Sequence, residues 1–192
     1  SHPTAVGDEP FFIDGWAIQF EEILVTFDHV TVSEGPDTSA GDQSQIGALV
    51  AKADGPWAVD LKKGGPLKGK GGDDTSIELT TIENQNQNGG AGFDEDTKYA
   101  FGYQTVKASS TATKVNFDGS NEADYAEMVS KGYVVYLKGV AEFVGTSCSP
   151  AIGSDAILDG LPKKVHFKFG FTKEATMVNC QNPDLGDTTD GE

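Results

Sequence analysis

Three histidines, two cysteines and a late run of aspartates are the residues of this 192-residue chain whose types suit chemistry. His2, next to the α-amine of Ser1, offers the amine, amide and imidazole nitrogens that Cu(II) takes in its tetragonal geometry. His29 is the second imidazole of that copper reading. Asp184, Asp187 and Asp190 set carboxylates at short intervals, the donors for a hard ion with about six to eight oxygen ligands, so calcium is the other metal expectation. Spacings such as His-x-His or His-Glu-x-x-His, which put two imidazoles on one face by local geometry, are missing. His166 alternates with Val165 and Phe167 and sits next to Lys168, the pattern of a solvated sheet residue.

Motifs for covalent or phosphoryl chemistry are not found. There is no Gly-x-Ser-x-Gly, no P-loop and no dinucleotide fingerprint, and Gly145-Thr-Ser-Cys-Ser-Pro150 reads as a turn. Glu21-Glu22 and Asp73-Asp74 are carboxylate pairs, but a glycosidase needs two carboxyls at a set separation across its substrate, which nothing in the sequence fixes. The acids from Asp118 to Asp124 read as helix capping and complements to the helix dipole. All fourteen basic residues are lysines, so the bidentate grip of a guanidinium on phosphate or carboxylate is absent. A net charge of −16 with a pI near 4.4 repels phosphate backbones and anionic membrane surfaces. Nucleic acid is therefore excluded as a partner, and the expectation is a non-enzyme with a protein partner or self-assembly.

Trp16, Trp57, Tyr99, Tyr103 and Tyr136 fall at alternating positions and form the candidate ligand-binding set. Facing outward together on one sheet, they would stack against a sugar, which makes a carbohydrate-binding module a further reading.

Cys148 and Cys180 are the only cysteines and are expected as one structural disulfide. The bridge would close a loop of about 33 residues, worth about 3.5 kcal/mol in the chain-entropy model. Such a bond places the chain in an oxidising, extracytoplasmic compartment: periplasm, cell surface or medium. No apolar run reaches the roughly 18 residues of a membrane-spanning helix. The opening Ser1-His2-Pro3 has no Met, basic n-region or apolar h-region, which suits a processed, exported form, soluble or held by an N-terminal lipid anchor.

These groups need a β-rich framework to position them. Residues 1–10 read as a polar leader, 11–180 as a single domain and 181–192 as an acidic tail. Trp16, Ile18 and Phe20 alternate, as do Ile23, Val25 and Phe27, and the change of face at Glu21-Glu22 predicts a bulge or bend. Ile46, Leu49 and Val50 suit a short helix or a strand. Trp57 to Leu61, Ile77 to Thr81, Tyr99 to Thr105, Tyr133 to Val144 and Val165 to Phe171 read as further strands. Only the segment from Ser120 to Gly132 reads as helix, capped by Ser120 or Asn121 and stopped by Gly132 in the left-handed conformation. The sum is a mainly-β fold: an antiparallel β-sandwich, jelly-roll or Greek-key like, with one short helix.

Two resemblances follow from particular residues. Asn182, Pro183, Asp184, Asp187, Asp190 and Gly191, after Cys180, resemble the start of a thrombospondin type 3 calcium repeat; Thr189 stands where those repeats carry another aspartate. That resemblance implies calcium at the tail. The phrases Asp14-Gly-Trp-Ala-Ile-Gln-Phe20 and Ile23-Leu-Val-Thr-Phe27, with Val165 to Phe171 and Cys180, are similar to exported bacterial lipoprotein-type domains, which implies a location at the envelope or outside the cell and no catalytic residues. The leading expectation is an exported, non-enzymatic binding or assembly protein. A divalent-metal protein and a carbohydrate-binding module are its rivals.

Overall fold

The spine of the fold is β1, Trp16–Glu34, a strand of 19 residues. Its register slips between Phe20 and Glu22, so the change of face at Glu21-Glu22 is a bulge inside one continuous strand. The structure, a computed structural model, describes residues 16–34, 47–62, 77–82, 99–144 and 162–180.

Along one edge of β1 lie β2 (Leu49–Ala53) and β3 (Trp57–Asp60), end to end. Along the other lie β4 (Tyr99–Thr105) and β6 (Val135–Phe143). Outermost are β7 (Lys164–Phe171), against β6, and β8 (Ala175–Cys180), against β4. All of these pairs are antiparallel; the short β5 (Thr113–Val115) joins β3 in parallel. The fold is mainly β with one helix among the described residues, as the sequence predicts, and its eight strands form one sheet. Ile77 to Thr81, expected as a strand, do not join the ladder; Ile77, Leu79 and Ile82 pack against the sheet.

The four ribbons are interrupted at one level. β2 gives way to β3 across residues 54–56, β7 to β8 across 172–174, and β1 shifts register between Asp28 and Thr31, where His29 adopts a φ of 50°. At the same level the β4–β6 ribbon is interrupted by residues 106–134. The Val106 N–H donates to the Thr26 carbonyl at 3.0 Å, and the Thr26 N–H donates to the Val134 carbonyl at 3.2 Å. One residue of β1 therefore holds both ends of the insertion.

That insertion carries α1, Glu122–Lys131. Glu122 and Asp124 occupy its first turn and Lys131 its last, matching the helix dipole, and Gly132 closes it at φ 63° as a left-handed cap. Asn121 holds the N-cap position but makes no side-chain cap. Its Nδ2 instead donates to the buried Asp60 Oδ2 at 3.0 Å, and its Oδ1 accepts from the Asp118 N–H at 3.2 Å. A ten-residue helix is too short to be stable alone. It is held by packing: Tyr125 and Met128 lie in a core with Leu24, Ala58 and Tyr136 on one sheet face. Full burial of Leu24 contributes about 2 kcal/mol to this layer. The opposite face carries a second core of Val30, Trp57 and Val59, overlaid by Ile77, Leu79 and Ile82.

Candidate functional site

Three arrangements on this framework could do more than hold it together. The first lies under α1. Period two places Glu22 and Leu24 of β1, Tyr136 and Lys138 of β6 and Lys168 of β7 on the face that meets the helix, and the first turn of α1 lowers Asp124 onto them. Lys138 Nζ donates to Asp124 Oδ2 at 2.7 Å and to Glu22 Oε1 at 3.0 Å. Lys168 Nζ and the Tyr136 hydroxyl donate to Asp124 Oδ1 at 2.7 and 2.8 Å. Four charges thus meet at a half-buried spot where solvent screens Glu22, Asp124 and Lys138 poorly and the half-exposed Lys168 more fully.

Their environments push the two carboxyls apart. Burial would raise Asp124, but the hydrogen bonds from Lys138, Lys168 and Tyr136 outweigh it and hold this carboxyl far below its usual range. Glu22 goes the other way: burial raises it, with the Asp124 charge adding, against a single compensating lysine. Its Oε2 is buried without a hydrogen-bond partner. Lys138 is pushed up to about 12, chiefly by its bond to Asp124, and burial pushes Tyr136 up to about 12. Opposed carboxyls are the raw material of acid–base chemistry. Here the helix seats on them, and what they do is fasten α1 to the sheet.

A pH signature follows. Glu22 is raised above its ordinary 4.5, so its contribution to stability is complete below that pH and is lost as pH rises through the folded value. Glu22→Gln lacks this loss. The melting temperature of the variant, relative to wild type, should climb from pH 4.5 toward neutrality; a difference that stays constant over that range would show that Glu22 is not raised.

The second arrangement sits at the interruption of the ribbons. Asp28 Oδ1 accepts the N–H of His29 at 2.7 Å and of Gly55 at 2.8 Å, which pins the β1 irregularity to the β2–β3 connection. The His29 ring stands between two carboxylates, Nδ1 at 3.2 Å from Asp28 Oδ1 and Nε2 at 3.9 Å from Asp54 Oδ1. The donor atoms of Asp28, His29 and Asp54 all lie within 4.8 Å of one another.

The third is the sheet face turned away from α1. Register places Ile18, Ala141 and Val165 in one row, Phe20, Gly139 and Phe167 in the next, then Ile23, Leu137 and Phe169, then Val25, Val135 and Phe171. Gly139 is where β1 and β7 crowd: a Cβ there would run into the Gln19 carbonyl and the Phe167 ring. Ile18, Val165, Phe169 and Phe171 are 40–54% exposed. The face continues past the bend to Phe101 and Met177, also exposed. A pocket of about 280 Å³ opens there between Phe27, Val30, Phe101 and Tyr103 of the sheet and Ile77 and Leu79 above it.

Searches against family models, curated proteins and solved structures return no match.

Of the expected metal ligands, His29 is described and exposed, whereas His2, Asp184, Asp187 and Asp190 lie outside the described residues. The aspartates that meet His29, one adjacent and one from the β2–β3 connection, carry no sequence spacing that announces them. The aromatic set does not come together as a platform. Trp57 is buried in the second core, and Tyr136 is buried with its hydroxyl committed to Asp124. Trp16 packs edge-on against Phe143 at one end of β1, while Tyr99 pairs with Glu34 at the other. Tyr103 lines the apolar pocket, edge-on to Phe27. His166 is exposed on the sheet. Cys180 ends β8 as a half-buried free thiol, and Cys148, its expected partner, lies outside the described residues. Glu22 enters the Asp124 cluster because the bulge after Phe20 turns it to the helix side; in sequence it reads only as half of an acidic doublet.

Proposed function

We propose that the protein is a non-enzymatic assembly module of the extracytoplasmic space and that it associates with a second copy of itself through the apolar face of β1, β6 and β7. The observation that carries this reading is the exposure of Ile18, Val165, Phe169 and Phe171 on one continuous sheet face. A contiguous apolar patch with polar surroundings is an interaction surface by its cost in water.

Charge supports a second copy as the occupant. Lys163, Lys164 and Lys173 lie within eleven residues on and beside β7, and all three are exposed. With three positive charges taken from a net of −16, the remainder of the chain carries −19. The basic ribbon of one copy fits the acidic body of another, a head-to-tail contact of the heterologous kind that propagates. The extracytoplasmic location rests on the resemblance to exported lipoprotein-type domains.

Sedimentation velocity tests the surface. Wild type should associate in the micromolar range, more weakly at high salt, and Phe169→Ser with Phe171→Ser should shift the chain to monomer with its circular dichroism intact, because both side chains are half exposed. A wild-type chain that stays monomeric at roughly 100 µM, or a double variant that associates equally, would overturn the proposal.

A further inference from the structure

The imidazole at the bend stands between two carboxylates, the donor set a divalent cation takes. A neutral histidine has one N–H and one lone pair. His29 Nδ1, the nearer of its two ring nitrogens to a carboxylate, lies 3.2 Å from Asp28 Oδ1. Nε2, on the other side of the ring, lies 3.9 Å from Asp54 Oδ1. Asp28 is not free to turn away, because two backbone N–H groups, from His29 and Gly55, hold the same oxygen.

A carboxylate that orients one ring nitrogen while the other points at an open position is the arrangement that metal-bound histidines use. Ligands about 2.1 Å from a tetrahedral ion stand about 3.4 Å apart. The 3.9 Å gap between Nε2 and Oδ1 needs only a few tenths of an ångström of closure, which the half-exposed Asp54 side chain can supply. Imidazole with carboxylate selects zinc and its first-row neighbours over calcium.

We infer that His29 and Asp54 form a surface site for a divalent ion of the zinc class, with the Asp28 carboxylate against the other ring nitrogen of His29. Solvent completes the coordination. Lys52 is the competitor: its Nζ donates to Asp54 Oδ2 at 3.0 Å, so an ion entering the site displaces or shares with an ammonium already there. The site is separate from the apolar face and does not depend on assembly through it.

The test is titration of the full chain with Zn²⁺, by calorimetry and by ¹⁵N NMR of the imidazoles. Wild type should bind one ion with a shift at His29 Nε2. His29→Ala should abolish that binding event, and Asp28→Asn should weaken it about tenfold, the usual cost of losing an orienting carboxylate. Lys52→Ala should tighten it several-fold, which no merely structural role of these residues explains. Absence of binding by wild type, or zinc affinity equal in wild type and His29→Ala, overturns the site; in the second case the ion sits on other acids of this −16 chain.

Discussion

Asp124→Asn should destabilise the protein by about 3 kcal/mol, the cost of breaking a half-buried ion pair by removing one member. The side chain of Asp124 is 9% exposed and receives Lys138, Lys168 and Tyr136 together. The amide keeps the shape and loses the charge, so two ammonium groups remain under α1 with only Glu22 to answer them. Most of the cost comes through Lys138, since Lys168 is half exposed and water screens it. Urea denaturation gives the magnitude, and pH identifies the cause. The contribution of Asp124 is fully present above its ordinary 3.8 and is lost as pH falls toward the folded value, so the gap between wild type and variant should narrow below about pH 4. Glu127→Gln, at the exposed rim of the same cluster, should change stability by less than about 0.5 kcal/mol. A cost for Asp124→Asn no larger than that of Glu127→Gln would show that the cluster does not hold the helix.

A comparable loss, about 3 kcal/mol, is expected for Asp60→Ala. This side chain is fully buried at the end of β3 and accepts from the backbone N–H of Lys62 at 3.0 Å, from that of Ile23 at 3.4 Å, and from Asn121 Nδ2 at 3.0 Å. Alanine leaves the buried Ile23 and Asn121 donors and the part-buried Lys62 N–H without their acceptor, and the two buried groups carry most of the desolvation cost. Asn121→Ala should cost less, about 2 kcal/mol, because the carboxylate keeps its backbone partners. The double variant should cost less than the sum by about 1 kcal/mol or more, the coupling of directly bonded side chains. Amide exchange should place the loss at residues 122–131, the helix that Asn121 ties to β3. Additive costs would mean the bond from Asn121 to Asp60 contributes nothing.

Much of the framework is legible in the sequence because one periodicity dominates it. The alternation through Trp16 to Phe27, with its fault at Glu21-Glu22, gives β1 and its bulge; Tyr99 to Thr105 and Val165 to Phe171 give β4 and β7; the acids and Gly132 bracket α1. β8 is not legible, since Ala175 and Met177 stand among polar neighbours and pairing with β4, not pattern, makes it a strand. Nor is the parallel β3–β5 pair, which depends on where the 106–134 insertion returns. Asn121 reads as a cap, but a buried carboxylate 61 residues away draws its amide off.

The sites are less legible for the same reason. Alternation says that Phe167, Phe169 and Phe171 share a face but not whether that face is covered; their exposure depends on what packs there, which no local pattern encodes. His29 is visible as a metal-type residue, whereas Asp54 reaches it only because β2 pairs with β1 in a register set by Val30 opposite Ala53.

The claim on which the functional account rests is that the outer face of β7 is an assembly surface. Hydrogen–deuterium exchange of the intact chain at dilute and at high concentration tests it most directly. Protection that increases with concentration across residues 164–178, and not in α1, is the predicted result. Identical exchange of this segment at both concentrations would contradict it.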